Sequence, residues 1–256
     1  KKTKEKVLSE LSKDVEIAGF RKGNAPLDKV ASKISPNTLL EKTLAQLLPG
    51  ALSEAISKFK IKPAMYPRFE LVKAKDDEDW EVRGTTCELP QVVLGDYKSA
   101  LKGISSTKTI WTTDKGKADM SKEQEVIKAI LSSINVKVPK ILIDEEVNAR
   151  LSNLLARIEK LGLTLESYLA SLGKTAETLR SEYETQAENT IALELILNTI
   201  AEEQKIKVEE AQIDEALNLS KSTSQDSSGP SRQQQRRLIA SILKRRSSLD
   251  YLVSLV

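Results

Sequence analysis

Apolar positions along the chain recur at two periods. Val7, Leu8, Leu11 and Val15 fall at helical spacing within the charged stretch 1–15. Ser35-Pro36 reads as an N-cap followed by Pro at the first helical position. Beyond it Leu40, Leu44, Leu47, Ala51, Leu52, Ala55, Ile56 and Phe59 share a face, with Pro49-Gly50 predicting a kink or break. The period then shortens. Arg68–Lys75 alternates (Phe69 and Leu71 against Glu70 and Lys73), and Trp80–Leu89 alternates more loosely, with Asp76-Asp77-Glu78-Asp79 between them. This predicts an antiparallel hairpin with a charged turn, Trp80 on a sheet face and Cys87 packed in a strand.

From about residue 105 the strand signal fades. Ser105–Asp119 is polar and reads as a linker, and Ser121-Lys-Glu-Gln124 fits a capping box that opens a helix carrying Val126, Ile127, Ile130, Leu131 and Ile134. Pro139 opens the next helix, with Ile143, Val147, Leu151, Leu154, Leu155, Ile158 and Leu161 on its buried face and Gly162 as its stop. Leu165–Leu172 is a short helix ended by Gly173. Thr175 to about Lys205, with Leu179, Tyr183, Ala187, Ile191 and Leu195 four apart, is a helix spanning roughly 45 Å. Glu209–Leu219 and Gln233–Val256 are further helices, separated by the Ser-rich tract 220–231. The pattern therefore predicts an α+β N-terminal domain, helices plus a small antiparallel sheet, followed by a mainly α-helical domain with extended arms. The expected bounds are 1–104 for the first domain, 105–120 for a linker and 121–256 for the second, with arms about 139–208 and 209–256.

Composition removes much chemistry. The chain has 256 residues, no His and one Cys. That excludes imidazole catalysis, His metal sites, internal disulfides and CxxC centres. No cofactor or metal site is expected, and no GxxxxGK[ST] phosphate loop is present. The 40 basic and 37 acidic residues nearly balance, so any basic docking site is local. No run of apolar residues is long enough to span a membrane, so no membrane partner is expected. The acidic run 76–79 and the carboxylates Glu145/Glu146 and Glu202/Glu203 read as solvated, and the cations Arg232, Arg236, Arg237, Lys244, Arg245 and Arg246 read as a solvated helix face, with contact to RNA or an acidic partner as the alternative. Trp111, within the expected linker, reads equally as packing or as a contact for another polypeptide.

The sharpest local feature is the loop 19–26. Gly19 and Gly23 free the backbone, and between them stand Phe20, Arg21 and Lys22, with Pro26 closing the segment. Two cations beside an aromatic ring suit docking on RNA or on an acidic protein patch. The same residues also suit an ordinary helix connection whose Phe plugs the core.

Gly19-Phe20-Arg21-Lys22-Gly23-x-x-Pro26 resembles the ribosome-binding signature GFRxGxxP of the bacterial trigger factor family. Leu94-Gly-Asp-Tyr97 resembles the end of that family's N-terminal domain, Val136–Glu146 the opening of its first C-terminal arm, and Ile191–Val208 the arm's returning helix. The resemblance implies a cytoplasmic, ATP-independent chaperone. Gly19, Phe20, Arg21, Lys22, Gly23 and Pro26 would dock it on ribosomal RNA and a ribosomal protein beside the exit tunnel. Helical arms would shield nascent or unfolded polypeptides, and homodimers would form off the ribosome. It places the family's first strand before Lys1. The family's prolyl isomerase domain cannot fit between Lys102 and Val126, so the expected protein is a short form that is not an enzyme. Two other readings compete: a periplasmic-type helical chaperone, and a helical scaffold or dimerisation protein that keeps the loop unused.

Overall fold

The computed structural model describes residues 2–13, 20, 26–74, 79–105, 115–221 and 231–256. It separates into two compact units, Lys1–Glu88 and Leu89–Val256.

The first unit opens with α1 (Lys2–Leu11), which packs against α2 (Leu27–Lys33) and α3 (Pro36–Phe59). Val7, Leu8 and Leu11 of α1, Val30 of α2 and Leu39 of α3 form its buried cluster. Val15 lies outside the described residues. The Ser35 hydroxyl caps α3 by accepting from the Thr38 N–H at 3.1 Å. Of the kink or break expected at Pro49, the break does not occur, and α3 runs through it. Pro49, Gly50 and Ala45 are all exposed, so water can satisfy the Ala45 carbonyl that loses its intrahelical partner. The expected apolar face of α3 is only half-buried, with Leu47 and Phe59 exposed; Leu39 and Thr43 carry the seam instead. Thr43 satisfies its buried hydroxyl by donating to the Leu39 carbonyl at 2.6 Å.

The predicted hairpin is present as β1 (Arg68–Lys73) and β2 (Glu81–Thr85), antiparallel, with Phe69 opposite Gly84, Leu71 opposite Val82 and an irregularity between Leu71 and Lys73. Gly84 makes room for the Phe69 ring, whose Cε1 would lie 3.2 Å from a Cβ there. Tyr66 meets Phe69 edge-on at 5.9 Å between centroids. Trp80 is half-buried just before β2. Cys87 lies beyond β2 rather than in it; its carbonyl accepts from the Ala64 N–H at 2.8 Å, and burial raises its thiol pKa.

The second unit is helical: α4 (Tyr97–Ser105), α5 (Lys115–Ser133), α6 (Lys140–Lys160), α7 (Leu165–Leu172), α8 (Ala176–Glu203), α9 (Glu210–Lys221) and α10 (Arg232–Ser254). Its core joins Tyr97 and Leu101 of α4, Val126 and Ile130 of α5, Ile196, Leu197 and Ile200 of α8, and Leu249 and Leu252 of α10. α6 packs along α8, and α9 along α10. Asp96 caps α4, accepting from the Ser99 N–H and hydroxyl, which hold its carboxyl below the usual range.

Two expectations change here. α5 begins at Lys115, inside the expected linker, so Ser121–Gln124 is helix interior and no capping box. Lys117, Ala118 and Met120 are good helix formers, and they carry the helix past the Ser. On α8 the strict i+4 stripe does not stay buried. Leu179 and Ala187 are buried, but further on the buried positions are Ala192, Ile196 and Ile200, while Ile191 and Leu195 are half-exposed. Residues four apart advance by about 40° around a helix with 3.6 residues per turn, so an i+4 stripe winds off its seam. α7 agrees closely with its sequence signals: Thr164 caps it reciprocally with Ser167, and Gly173 ends it at φ 63°.

Candidate functional site

The loop between α1 and α2 carries the sequence-predicted docking residues. Gly19, Arg21, Lys22 and Gly23 lie outside the described residues, as do Trp111 and acidic residues 76–78. Phe20 and Pro26 are described. Pro26 starts α2: its carbonyl accepts from the N–H groups of Lys29 and Val30 at 3.0 and 3.1 Å. A residue without an N–H suits a helix start, where that donor would lack a partner. Phe20 is 38% exposed and does not belong to the buried cluster of its unit. The ring is therefore available rather than spent as a core plug. The Lys29 ammonium lies 5.3 Å from the ring centroid, close enough for a cation–π contact. Sequence reading missed Lys29, because a cation three residues beyond the motif has no signal until α2 turns it back toward Phe20.

The second candidate surface lies on the helical unit. Leu155 and Leu161, expected on the buried face of α6, are exposed, Leu161 at 74%. Val147 and Ile158 are the residues that α6 buries. Gly162, at φ 69°, ends the helix. Leu163 beyond it and Leu172 at the end of α7 are also exposed. Leu161 and Leu163 thus stand exposed at the α6–α7 turn, with Leu155 on α6 and Leu172 at the far end of α7, and exposed apolar side chains can hold other apolar groups. A second exposed pair, Leu238 and Ile242, stands on α10.

The basic run on α10 is in part the solvated face expected of it, with Arg232 and Arg237 exposed, and in part taken up in ion pairs. Arg236 forks to Asp214 and Glu210 of α9, and the Asp214 carboxylate raises its pKa. Arg245 pairs with Glu194 of α8 at 3.5 Å. Arg246 pairs with Glu123 of α5 at 2.6 Å and with Asp250 at 3.1 Å. Guanidinium forks tie α10 to three other helices. The spacing of the acids on α5, α8 and α9 gave no sequence signal, since the pairs lie far apart in the chain. Glu146 pairs with Arg150 at 2.7 Å while its side chain stays 39% exposed.

Among the described residues no group of His, Cys, Asp or Glu is arranged to hold a metal ion, and no helix is long and apolar enough to cross a membrane. The arrangement offers adhesion: the Phe20 ring beside the Lys29 ammonium on one unit, and exposed leucines on the other.

Residues 1–116 match the family model described as bacterial trigger factor protein, and residues 108–253 match that of the bacterial trigger factor C-terminus. Among curated relatives, a trigger factor of Streptococcus suis is 27% identical over 106 residues, covering 41% of this chain and 25% of the relative. A trigger factor of Clostridium beijerinckii is 30% identical over 115 residues, covering 44% and 27%. The chain thus spans about a quarter of the length of the curated relatives it matches. A solved chain from work on promiscuous substrate recognition in folding and assembly activities of the trigger factor chaperone aligns with a TM-score of 0.60 at 14% identity, over 99% of this chain and 93% of that one. At that identity the likeness speaks for the fold.

Proposed function

Because the chain belongs to the bacterial trigger factor family, in a short form whose N- and C-terminal regions adjoin with no isomerase domain between them, we propose that it is a ribosome-docking, ATP-independent chaperone without isomerase activity. On this reading residues 1–104 dock, residues 121–256 hold clients, and the arms span about 139–208 and 209–256. The protein works in the cytoplasm and pairs with a second copy when free.

The observation that carries the docking half is Phe20. The GFRKG motif stands where α1 gives way to α2, and its ring is left out of the core. Arg21 and Lys22 flank that ring in sequence and supply charge for ribosomal RNA phosphates. Each phosphate neutralised on single-stranded RNA contributes about 0.7 to the slope of log K against log salt, so binding weakens steeply as salt rises. Gly19 and Gly23 give the backbone room to present the tip, and Pro26 fixes where α2 resumes.

The client-holding half rests on the exposed leucines of the helical unit. Fully burying one leucine contributes roughly 1.5–3 kcal/mol. Two or three together, set against the entropic cost of association, give weak and reversible binding. Release then needs no nucleotide.

Co-sedimentation with ribosomes at low and high salt tests the docking half, comparing wild type with a Phe20/Arg21/Lys22→Ala variant. The expected result is that wild type pellets at low salt only, while the variant stays in the supernatant with its helical circular dichroism intact. Equal behaviour of the two proteins overturns the assignment and leaves the loop as a connection between helices.

A further inference from the structure

The exposed pair on α10 belongs to a longer stripe. Leu238, Ile242, Arg245, Leu249 and Leu252 follow one another at spacings of four, three, four and three, so they share one face of the helix. The far end of this stripe is core: Leu249 and Leu252 are buried, and Arg245 is tied to Glu194 of α8. The near end is open, with Leu238 57% and Ile242 48% exposed. One seam thus leaves the core and continues uncovered for about a turn.

The charges beside that open stretch are uneven. α10 carries six cations and one carboxylate. Arg236, Arg245 and Arg246 are neutralised by acids of α9, α8 and α5 and by Asp250. Arg237 and Lys244 form no ion pair among the described residues. They lie seven apart, on the ridge one residue ahead of the apolar stripe. Two unneutralised positive charges therefore border an uncovered apolar strip on the same side.

We propose that the Leu238–Ile242 strip with Arg237 and Lys244 is a docking surface for polypeptide segments whose apolar residues are flanked by aspartate or glutamate. This rests on the client-holding half of the proposed function and names the class of client it selects. The apolar strip contributes area, and the paired cations set the preference, since like charges beside them would repel. An RNA strand fits less well, because two cations seven residues apart beside an apolar strip give successive phosphates few donors.

The test uses two short fluorescein-labelled peptides sharing one Leu/Phe core, one flanked by Asp and Glu and the other by Lys, titrated with the full chain and read by anisotropy. Wild type is expected to bind the acidic peptide more tightly, by about two- to fivefold for each cation engaged, and the preference shrinks as salt rises. R237Q/K244Q should bind both peptides equally. L238S/I242S should weaken both while keeping the order. All four positions are surface positions, so circular dichroism is expected to match wild type. A preference for the Lys-flanked peptide, equal binding by wild type, or a preference that survives in R237Q/K244Q overturns the proposal and leaves client holding intact. Displacement of the acidic peptide by poly(U) RNA at lower concentration than by unlabelled peptide assigns the strip to RNA and overturns it as well. Failure of wild type to bind either peptide overturns the client-holding reading itself.

Discussion

The two units bury their apolar side chains in different ways. The cluster of the first joins Val7, Leu8 and Leu11 to Val30 and Leu39, residues that are close in sequence. The core of the second joins Tyr97 and Leu101 to Val126, to Ile196 and Ile200, and finally to Leu249 and Leu252 near the C-terminus. One is a local helical cluster. The other cannot close until nearly the whole chain exists, and its closure brings distant segments together at an entropic cost. A chain built this way can fold its first unit during synthesis and complete its helical unit last.

The largest effect tests that dependence. Leu252 is fully buried where α10 meets the core. Leu252→Ala removes most of its side chain from a packed site and is expected to cost about 2–5 kcal/mol. Hydrogen exchange read by mass spectrometry should show faster exchange across α4, α5 and the C-terminal half of α8, with α1–α3 unchanged. Matching loss of protection in α1–α3 would break the division into separate cores.

The converse substitution is smaller. Leu11→Ala sits in the smaller cluster, where Leu11 keeps slight exposure. The cost is expected at the low end of the leucine range, about 2 kcal/mol. Exchange should quicken in α1–α3 and leave α4–α10 at wild-type rates. Slower refolding of the helical unit in this variant would show that the first cluster is a nucleus for both.

These two substitutions touch residues that the sequence marks well, and others show where such marks fail. Val7, Leu8 and Leu11 were legible because a short amphipathic helix has a single face to bury. α7 was legible at both ends because Thr164 and Gly173 act through their own backbones. Pro49 left kink and break both open because its cost depends on whether water reaches the freed carbonyl, which local sequence does not state. Ser121 misled because a capping residue signals a start only where no helix already runs. The outward faces of Leu155 and Leu161 were hidden for a related reason: periodicity reports that a face is apolar, not that a partner covers it. The ion pairs of Arg236, Arg245 and Arg246 were hidden since their carboxylates come from other helices. Of the candidate site, the sequence alone supplies the GFRKG motif, of which the structure describes Phe20, whereas Lys29 and the open end of the α10 stripe emerge only from the fold.

A third prediction concerns an arm rather than a core. Thr175 caps α8 by accepting from the Thr178 N–H at 3.2 Å, and the Thr178 hydroxyl in turn accepts from the Thr175 N–H at 2.9 Å. Thr175→Ala is expected to cost about 1 kcal/mol. The loss should appear as faster exchange in the first turns of α8, well away from Ile196 and Ile200. A drop in protection of the core half of equal size would mean that α8 melts as one rod, and the contrast between arm and core would fail.

The smallest effect at neutral pH separates the units by titration. Tyr97 is 3% exposed at the centre of the second core, whereas the cluster of the first unit holds no ionisable side chain. Burial raises the Tyr97 pKa, the charge of Glu203 and the neighbouring Tyr251 add to the rise, and the Gln204 amide, donating to the phenol oxygen at 3.3 Å, opposes it. The folded phenol therefore keeps its proton to higher pH than the unfolded one. Its contribution is fully present below the ordinary phenol pKa of about 10 and is lost as pH rises from there through the folded value. Tyr97→Phe removes a single long hydrogen bond, so at neutral pH it should cost about 0.5–1 kcal/mol. Urea midpoints of the helical unit at neutral pH and near pH 10.5 check this. Wild type should lose more stability between the two conditions than Tyr97→Phe does, while protection of α1–α3 follows the same course in both proteins. Parallel pH profiles for the two helical units would mean that the phenol ionises without resistance, and that the second core is wetter around Tyr97 than its burial indicates.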